Sequence, residues 1–168
     1  MSQPLQRDPI AEAQRNWERH GWEDVAAPMA AITAVMRTQQ ILLHRAETVL
    51  KPFGLTFARY ELLTLLSFSK RGELPMNRAS ALLQVHPTSV TNAVDRLENA
   101  GLVHRSAHPT DGRTTLIGLT APGRSLAHEA TVALNEGVFS ASGFSDRDVS
   151  TLIRILAKFR ADAGDFSG

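Results

Sequence analysis

The stretch Pro87-Thr88-Ser89-Val90-Thr91-Asn92-Ala93-Val94-Asp95-Arg96-Leu97-Glu98-Asn99-Ala100-Gly101-Leu102-Val103 decides the fold. Val90, Val94 and Leu97 recur at helical spacing, so a helix over 87–99 has one apolar stripe to bury. Its opposite side carries Thr88, Ser89, Thr91, Asn92, Asp95 and Arg96, all polar and mostly short. Pro87 suits the first turn, where its missing N–H costs nothing, and Gly101 ends the helix. A short helix over 77–84 precedes it, with only a tight turn between. Two helices in that order describe a helix-turn-helix, whose second member lies in the major groove of DNA. Small hydroxyls at the N-terminal end permit close approach. Asn92 suits an adenine edge or a phosphate, Arg96 a guanine or a phosphate. The free N–H groups of the first turn offer a phosphate position. Any solvated amphipathic helix shows a similar face, so the pattern alone does not separate the two readings.

Downstream, the apolar runs Leu102-Val103 and Leu116-Ile117-Gly118-Leu119 flank a polar stretch with the turn residues Pro109, Asp111 and Gly112. Two strands joined by an exposed loop are predicted. An Arg on such a loop, Arg113, would reach the adjacent minor groove, where the potential is more negative. Asp111 is expected to hold that guanidinium extended. By itself, Asp-Gly-Arg is also a plain hairpin turn.

Working outward, Asp8-Pro9 opens a helix over 10–20. A second helix is predicted from Pro28 to Leu50, with a wide stripe including Ile32, Val35, Met36, Leu43, Ala46 and Leu50, ended by Pro52 and Gly54. Thr56 caps a helix over 57–68 that buries Tyr60, Leu63 and Leu66, and 71–75 reads only as a break. A long helix over 121–140 opens near Pro122. Ser145 and Asp148 form a capping box launching a last helix with a seam of Val149, Leu152, Ile153, Leu156 and Phe159. Residues 163–168 are expected to fray.

At 168 residues with 43% hydrophobic and 21% charged side chains, the chain has the material for one globular domain. A net charge of +1 means that any nucleic-acid contact depends on where the Arg side chains sit, not on a global field. The absence of Cys excludes disulfides, thiolate metal sites and thiol nucleophiles. No run reaches the roughly 18 apolar residues of a membrane span, and the polar N-terminus has no signal-peptide core. A cytoplasmic protein making no membrane contact is therefore expected. His104 and His108 have i, i+4 spacing but not on a helix, and the other His residues are scattered, so no metal site is expected. There is no phosphate loop, nucleophile elbow or close carboxylate pair, so neither an enzyme nor a cofactor is expected.

The run from Ser89 to Val103, followed by Asp111-Gly112-Arg113 and Leu119-Thr120-Ala121-Pro122-Gly123-Arg124, resembles the MarR family of bacterial winged-helix repressors. The likeness continues in element order from Met29 to the last helix. At Gly112 many members carry a second Arg, which implies weaker wing electrostatics here. The implied fold is mainly α with a small β-hairpin wing, a winged helix-turn-helix flanked by N- and C-terminal dimerisation helices. Residues 1–168 form a single MarR-like domain, with 10–50 and 121–163 dimerising and 55–120 as the DNA-binding lobe. The implied protein is a homodimer that binds a pseudo-palindromic double-stranded operator as a repressor and is released by a small-molecule effector. The resemblance gives Thr88, Ser89, Thr91, Asn92, Arg96, Asp111 and Arg113 to DNA. It places an effector pocket among Met36, Gln40, His44, Phe57, Tyr60 and Glu61. The extra leading helix is similar to the branch that senses urate and related anions, with Trp17, Glu61 and Arg105 at matching places, although the acid there is Asp. The competing readings are a metal-responsive regulator of the same fold, and a helical dimerisation protein that binds no DNA. The second leaves the polar face of 87–99 and the Arg-bearing loop unexplained.

Overall fold

The computed structural model describes residues 5–111 and 113–166. Met1–Pro4, Gly112, Ser167 and Gly168, on which the N-terminal, wing and C-terminal expectations partly fell, lie outside the described residues. Helix α1 (Pro9–Arg19) begins where Asp8 accepts the Ile10 N–H at 2.9 Å. Helix α2 (Glu23–Leu50) starts at Glu23, five residues before the start predicted at Pro28. Pro28 sits near enough to the N-terminus that its missing N–H leaves only the Asp24 carbonyl without its helical partner. Glu23 and Asp24 also complement the helix dipole in the first turn. A single 3₁₀ turn, Lys51–Phe53, closes α2 at Gly54, whose φ of 66° is left-handed. Thr56 then caps α3 (Phe57–Phe68) as expected.

The predicted break at 71–75 contains a strand that the sequence did not reveal. Strand β1 (Glu73–Pro75) precedes α4 (Met76–Leu83), α5 (Pro87–Asn99), β2 (Val103–Ala107) and β3 (Thr115–Leu119). The sheet therefore has three strands in the order β1-β3-β2, with Leu74 opposite Ile117 and Arg105 opposite Ile117 on the other side. Three residues are too few to show alternation, and Pro75 argues against a strand. An edge position tolerates it because the proline's missing donor need not face a partner.

Helix α6 (Ala121–Leu134) is capped by Thr120 and runs on through a π-turn, Asn135–Phe139, in which the Ser140 N–H reaches the Asn135 carbonyl at 2.9 Å. Gly123 is required here: a Cβ would lie 2.0 Å from the Leu102 carbonyl oxygen, so only glycine lets α6 start against the chain leaving α5. Helix α7 (Asp146–Asp162) opens on the expected capping box, with Ser145 and Asp148 bonding reciprocally.

Leu50, Leu62, Leu63, Leu66, Val90, Val94, Leu97, Ile117 and Leu134 are fully buried, placing the core among α3, α5, the sheet and α6, closed by the end of α2. The Tyr60 hydroxyl, inside this core, meets Thr131 Oγ1 at 3.1 Å. The flanking helices differ. α7 buries no residue, and α2 buries only Ala26, Ala46 and Leu50 along its 28 residues. No helix of the described residues is long and apolar enough to cross a membrane.

Candidate nucleic-acid interface

The turn between α4 and α5 is held from inside by Ser80, whose hydroxyl donates to the Val85 carbonyl at 2.9 Å. Gln84 takes a left-handed conformation there, φ 53°, which lets the chain reverse in three residues. His86 caps α5 through its ring: Nδ1 accepts the Thr88 N–H at 3.3 Å and lies 3.1 Å from the Thr88 hydroxyl. Val90, Val94 and Leu97 are each 1% exposed or less, which fixes the rotation of α5 about its axis. Thr88, Ser89, Thr91, Asn92 and Arg96 are all exposed on the other side. Thr91 donates to the Pro87 carbonyl at 3.1 Å, leaving its oxygen able to accept.

Asp95 and Glu98, on the flank of that face, converge on Arg105 of β2. Arg105 Nη2 reaches Asp95 Oδ1 at 2.5 Å, its Nη1 bonds Glu98 Oε2, and its backbone N–H donates to Glu98 Oε1 at 2.9 Å. Desolvation opposes the guanidinium charge, but the hydrogen bonds to Asp95 and Glu98, with their negative charge, outweigh it and push the Arg105 pKa further up. The guanidinium is thus occupied by two carboxylates of α5. This latch is not legible in the sequence: its signal is two acids on α5 and an Arg just past the turn, but a pairing across a turn has no period.

In the wing, the Asp111 carboxylate does not hold the Arg113 guanidinium as expected. It accepts the Arg113 backbone N–H at 3.1 Å and the Thr114 hydroxyl at 2.6 Å. The Thr114 hydroxyl foremost, then the Arg113 amide, holds the Asp111 pKa below the usual carboxylate range. The side chain shapes the loop from within, because a short carboxylate meets the nearest amide donor two residues on more readily than a long mobile guanidinium. Arg113 itself is exposed. Below the loop, His104 lies across the sheet toward Glu73, Nε2 to Oε1 3.9 Å, over Gly118, where a Cβ would come within 2.3 Å of the ring. Among the described residues no group of three or more His, Cys, Asp or Glu could hold a metal ion.

The residues expected around an effector are spread over several surroundings. Met36 and Gln40 are exposed on α2, with Gln40 accepting from Arg37 at 3.2 Å. His44 lines an open groove of about 540 Å³ between α2 and the start of α3, together with Lys51, Thr56 and Arg59. Phe57 packs half-buried 6.0 Å from the buried Tyr60 ring, and burial pushes the Glu61 carboxyl up. Trp17 packs against Trp22, ring centroids 5.3 Å apart, at the corner between α1 and α2. Arg105, the third residue of that expected set, is engaged by Asp95 and Glu98 of α5.

The family model for the MarR family matches residues 53–114, from the last residue of the 3₁₀ turn after α2 to the wing loop just before β3. Sco5413, a MarR family transcriptional regulator from Streptomyces coelicolor, is 47% identical over 84% of this chain and 99% of its own, with a TM-score of 0.76. The chain belongs to the MarR family. A transcriptional regulatory protein named for the hcr operon of Thauera aromatica is 31% identical, over 76% of this chain and 78% of that protein. Coverage of the curated relatives is uneven, down to 51% of one relative's length. Sco3205, another MarR family regulator of Streptomyces coelicolor, shares the fold at 23% identity and a TM-score of 0.70, over 79% of this chain and 85% of its own, in a crystal structure with DNA. The winged helix-turn-helix is therefore the family's, with α5 in the second-helix position and β2–β3 as the wing.

Proposed function

We propose that this MarR protein is a sequence-specific regulator that binds double-stranded DNA as a homodimer, acting in the cytoplasm as a repressor. The observation that carries the reading is α5 itself: three apolar residues lock it to the core while Thr88, Ser89, Thr91, Asn92 and Arg96 stay exposed along the opposite face. In this role α5 enters the major groove, its hydroxyls and N-terminal N–H groups on phosphate and Asn92 and Arg96 on base edges. Arg113 reaches the minor groove from a loop that Asp111 shapes.

Residues 10–50 and 121–163 are the dimerising segments in this reading, and 55–120 the DNA-reading lobe. Its support is exposed apolar surface: Ile32 and Met36 on α2 are each 62% exposed, Ile153 and Phe159 on α7 65% and 70%. Two-fold operators require two-fold proteins, and a second copy would cover both faces. A small anionic or aromatic effector, bound where the dimerising helices meet the lobe, would change the spacing of the two α5 helices. Glu61, exposed on α3 one turn past Phe57 and with its carboxyl pKa raised by partial desolvation, is the polar group that this part of the reading offers to it.

The test is a shift assay on the DNA upstream of the protein's own gene. Affinity should fall steeply with salt as phosphate contacts release counterions, and Arg113→Ala should weaken binding to every operator variant about tenfold. An enzyme or scaffold would give no specific shift, and unchanged affinity in the Arg113 variant would remove the wing from the interface. A thermal-shift screen with metabolites and phenolic compounds, repeated on the DNA-bound protein, tests the effector: it should stabilise the free protein and release DNA.

A further inference from the structure

We propose that the segment following α7 clamps the α4–α5 turn through Gln84 and so sets the aim of α5, making Gln84 and Arg160 positioning residues for DNA binding. The proposal rests on the DNA-binding reading above. Past α7 the chain turns back at Gly164, φ 78°, and the Asp165 N–H returns to the Arg160 carbonyl at 2.9 Å. That reversal brings four groups together. Gln84 Nε2 donates to the Asp165 carbonyl at 2.8 Å, while Gln84 Oε1 accepts from Arg160 Nη2 at 3.4 Å. Arg160 Nε holds Asp165 Oδ2 at 2.5 Å, and its guanidinium lies 5.3 Å above the Phe166 ring.

Both ends of the Gln84 amide are thus used by one segment 76 and 81 residues away. The backbone makes that side chain unexpected. Among the described residues Gln84 is the only non-glycine at positive φ, in a helix-ending position where glycine or asparagine is the low-strain choice. A glutamine there keeps backbone strain and gains a side chain that reaches the C-terminal segment. Elsewhere α7 buries nothing in its own chain. The clamp therefore connects the helix assigned to dimerisation with the turn that orients α5, so the position of one bears on the other.

A merely stabilising contact and a positioning contact predict opposite signs for Gln84→Gly. Releasing the left-handed strain should leave the thermal midpoint unchanged or raised. Loss of the clamp should still weaken binding to the fragment upstream of the protein's own gene, about three- to tenfold. Arg160→Ala should lose the same factor with the dimer intact, and the double variant should lose no more than either alone. Without DNA, amide hydrogen exchange over 84–89 should quicken in Arg160→Ala. Exchange and affinity both unchanged, or affinity falling only in step with stability, would overturn the clamp. A wild-type protein that shifts no DNA while Arg160→Ala still quickens exchange would instead locate the failure in the DNA-binding reading.

Discussion

α5 and α7 are both amphipathic helices, and one chain completes only the first. α5 buries Val90, Val94 and Leu97 and shows water a polar face, whereas α7 buries nothing and shows water Leu152, Ile153, Leu156 and Phe159. The difference lies in what each helix meets: α3, α4 and β2 pack around α5, while α7, past the turn at Gly143, buries no residue and meets the α4–α5 turn at Arg160. Exposed polar residues beside a completed core are satisfied by water, and in the DNA-binding reading by phosphates and base edges. Exposed apolar residues on an incomplete helix point to more protein.

Core truncation should separate the two most strongly. Leu97→Ala on α5 should cost about 2–5 kcal/mol at any protein concentration. Leu152→Ala on α7 should cost less, and its effect should grow as the protein is concentrated, read from denaturant midpoints over a concentration series. Equal and concentration-independent losses would mean that α7 is complete within one chain. Next in size, Ile153→Asp places a charge in the apolar seam and should weaken self-association by about 3 kcal/mol; sedimentation equilibrium should show monomer with an unaltered circular dichroism spectrum. On the other side of the comparison, replacing Asn92 or Arg96 should change discrimination among operator variants by about 1–3 kcal/mol per lost base contact. A uniform loss for all sequences would reassign these residues to phosphate.

The smallest effect is a pH dependence in the wing. The Asp111 pKa is lowered in the folded loop by Thr114 and the Arg113 amide, so the unfolded loop binds the proton more readily. The order this contributes is complete above the ordinary carboxylate value of about 3.9 and is lost as pH falls below it through the folded value. The Thr114 and Arg113 amide shifts should report that titration by NMR, and Asp111→Asn should abolish it. An Asp111 titrating at its ordinary value would contradict the geometry.

The sequence made α5 legible because everything that defines it is local: the stripe, Pro87 at its start and Gly101 at its end. The caps at Asp8, Thr56 and Ser145 were legible for the same reason. β1 was not, because its evidence is a partner over forty residues away and its three residues include a proline. The start of α2 was misplaced because Pro28 carries a start signal that α1, packed alongside, overrides. At the site, the exposed face of α5 was readable from its period. The partners of Asp111 and Arg105 were not: a charged side chain has several donors within reach, and only folded distances choose among them.

Reading a two-fold operator requires two copies of α5 held a helical repeat apart on B-form DNA. Hydroxyl-radical footprinting of the protein on DNA upstream of its own gene tests this most directly. Two protected patches with centres about 10–10.5 base pairs apart are expected, both vanishing together when Ile153→Asp makes the protein monomeric. A single patch that the monomer retains, or no protection at low salt, would contradict it.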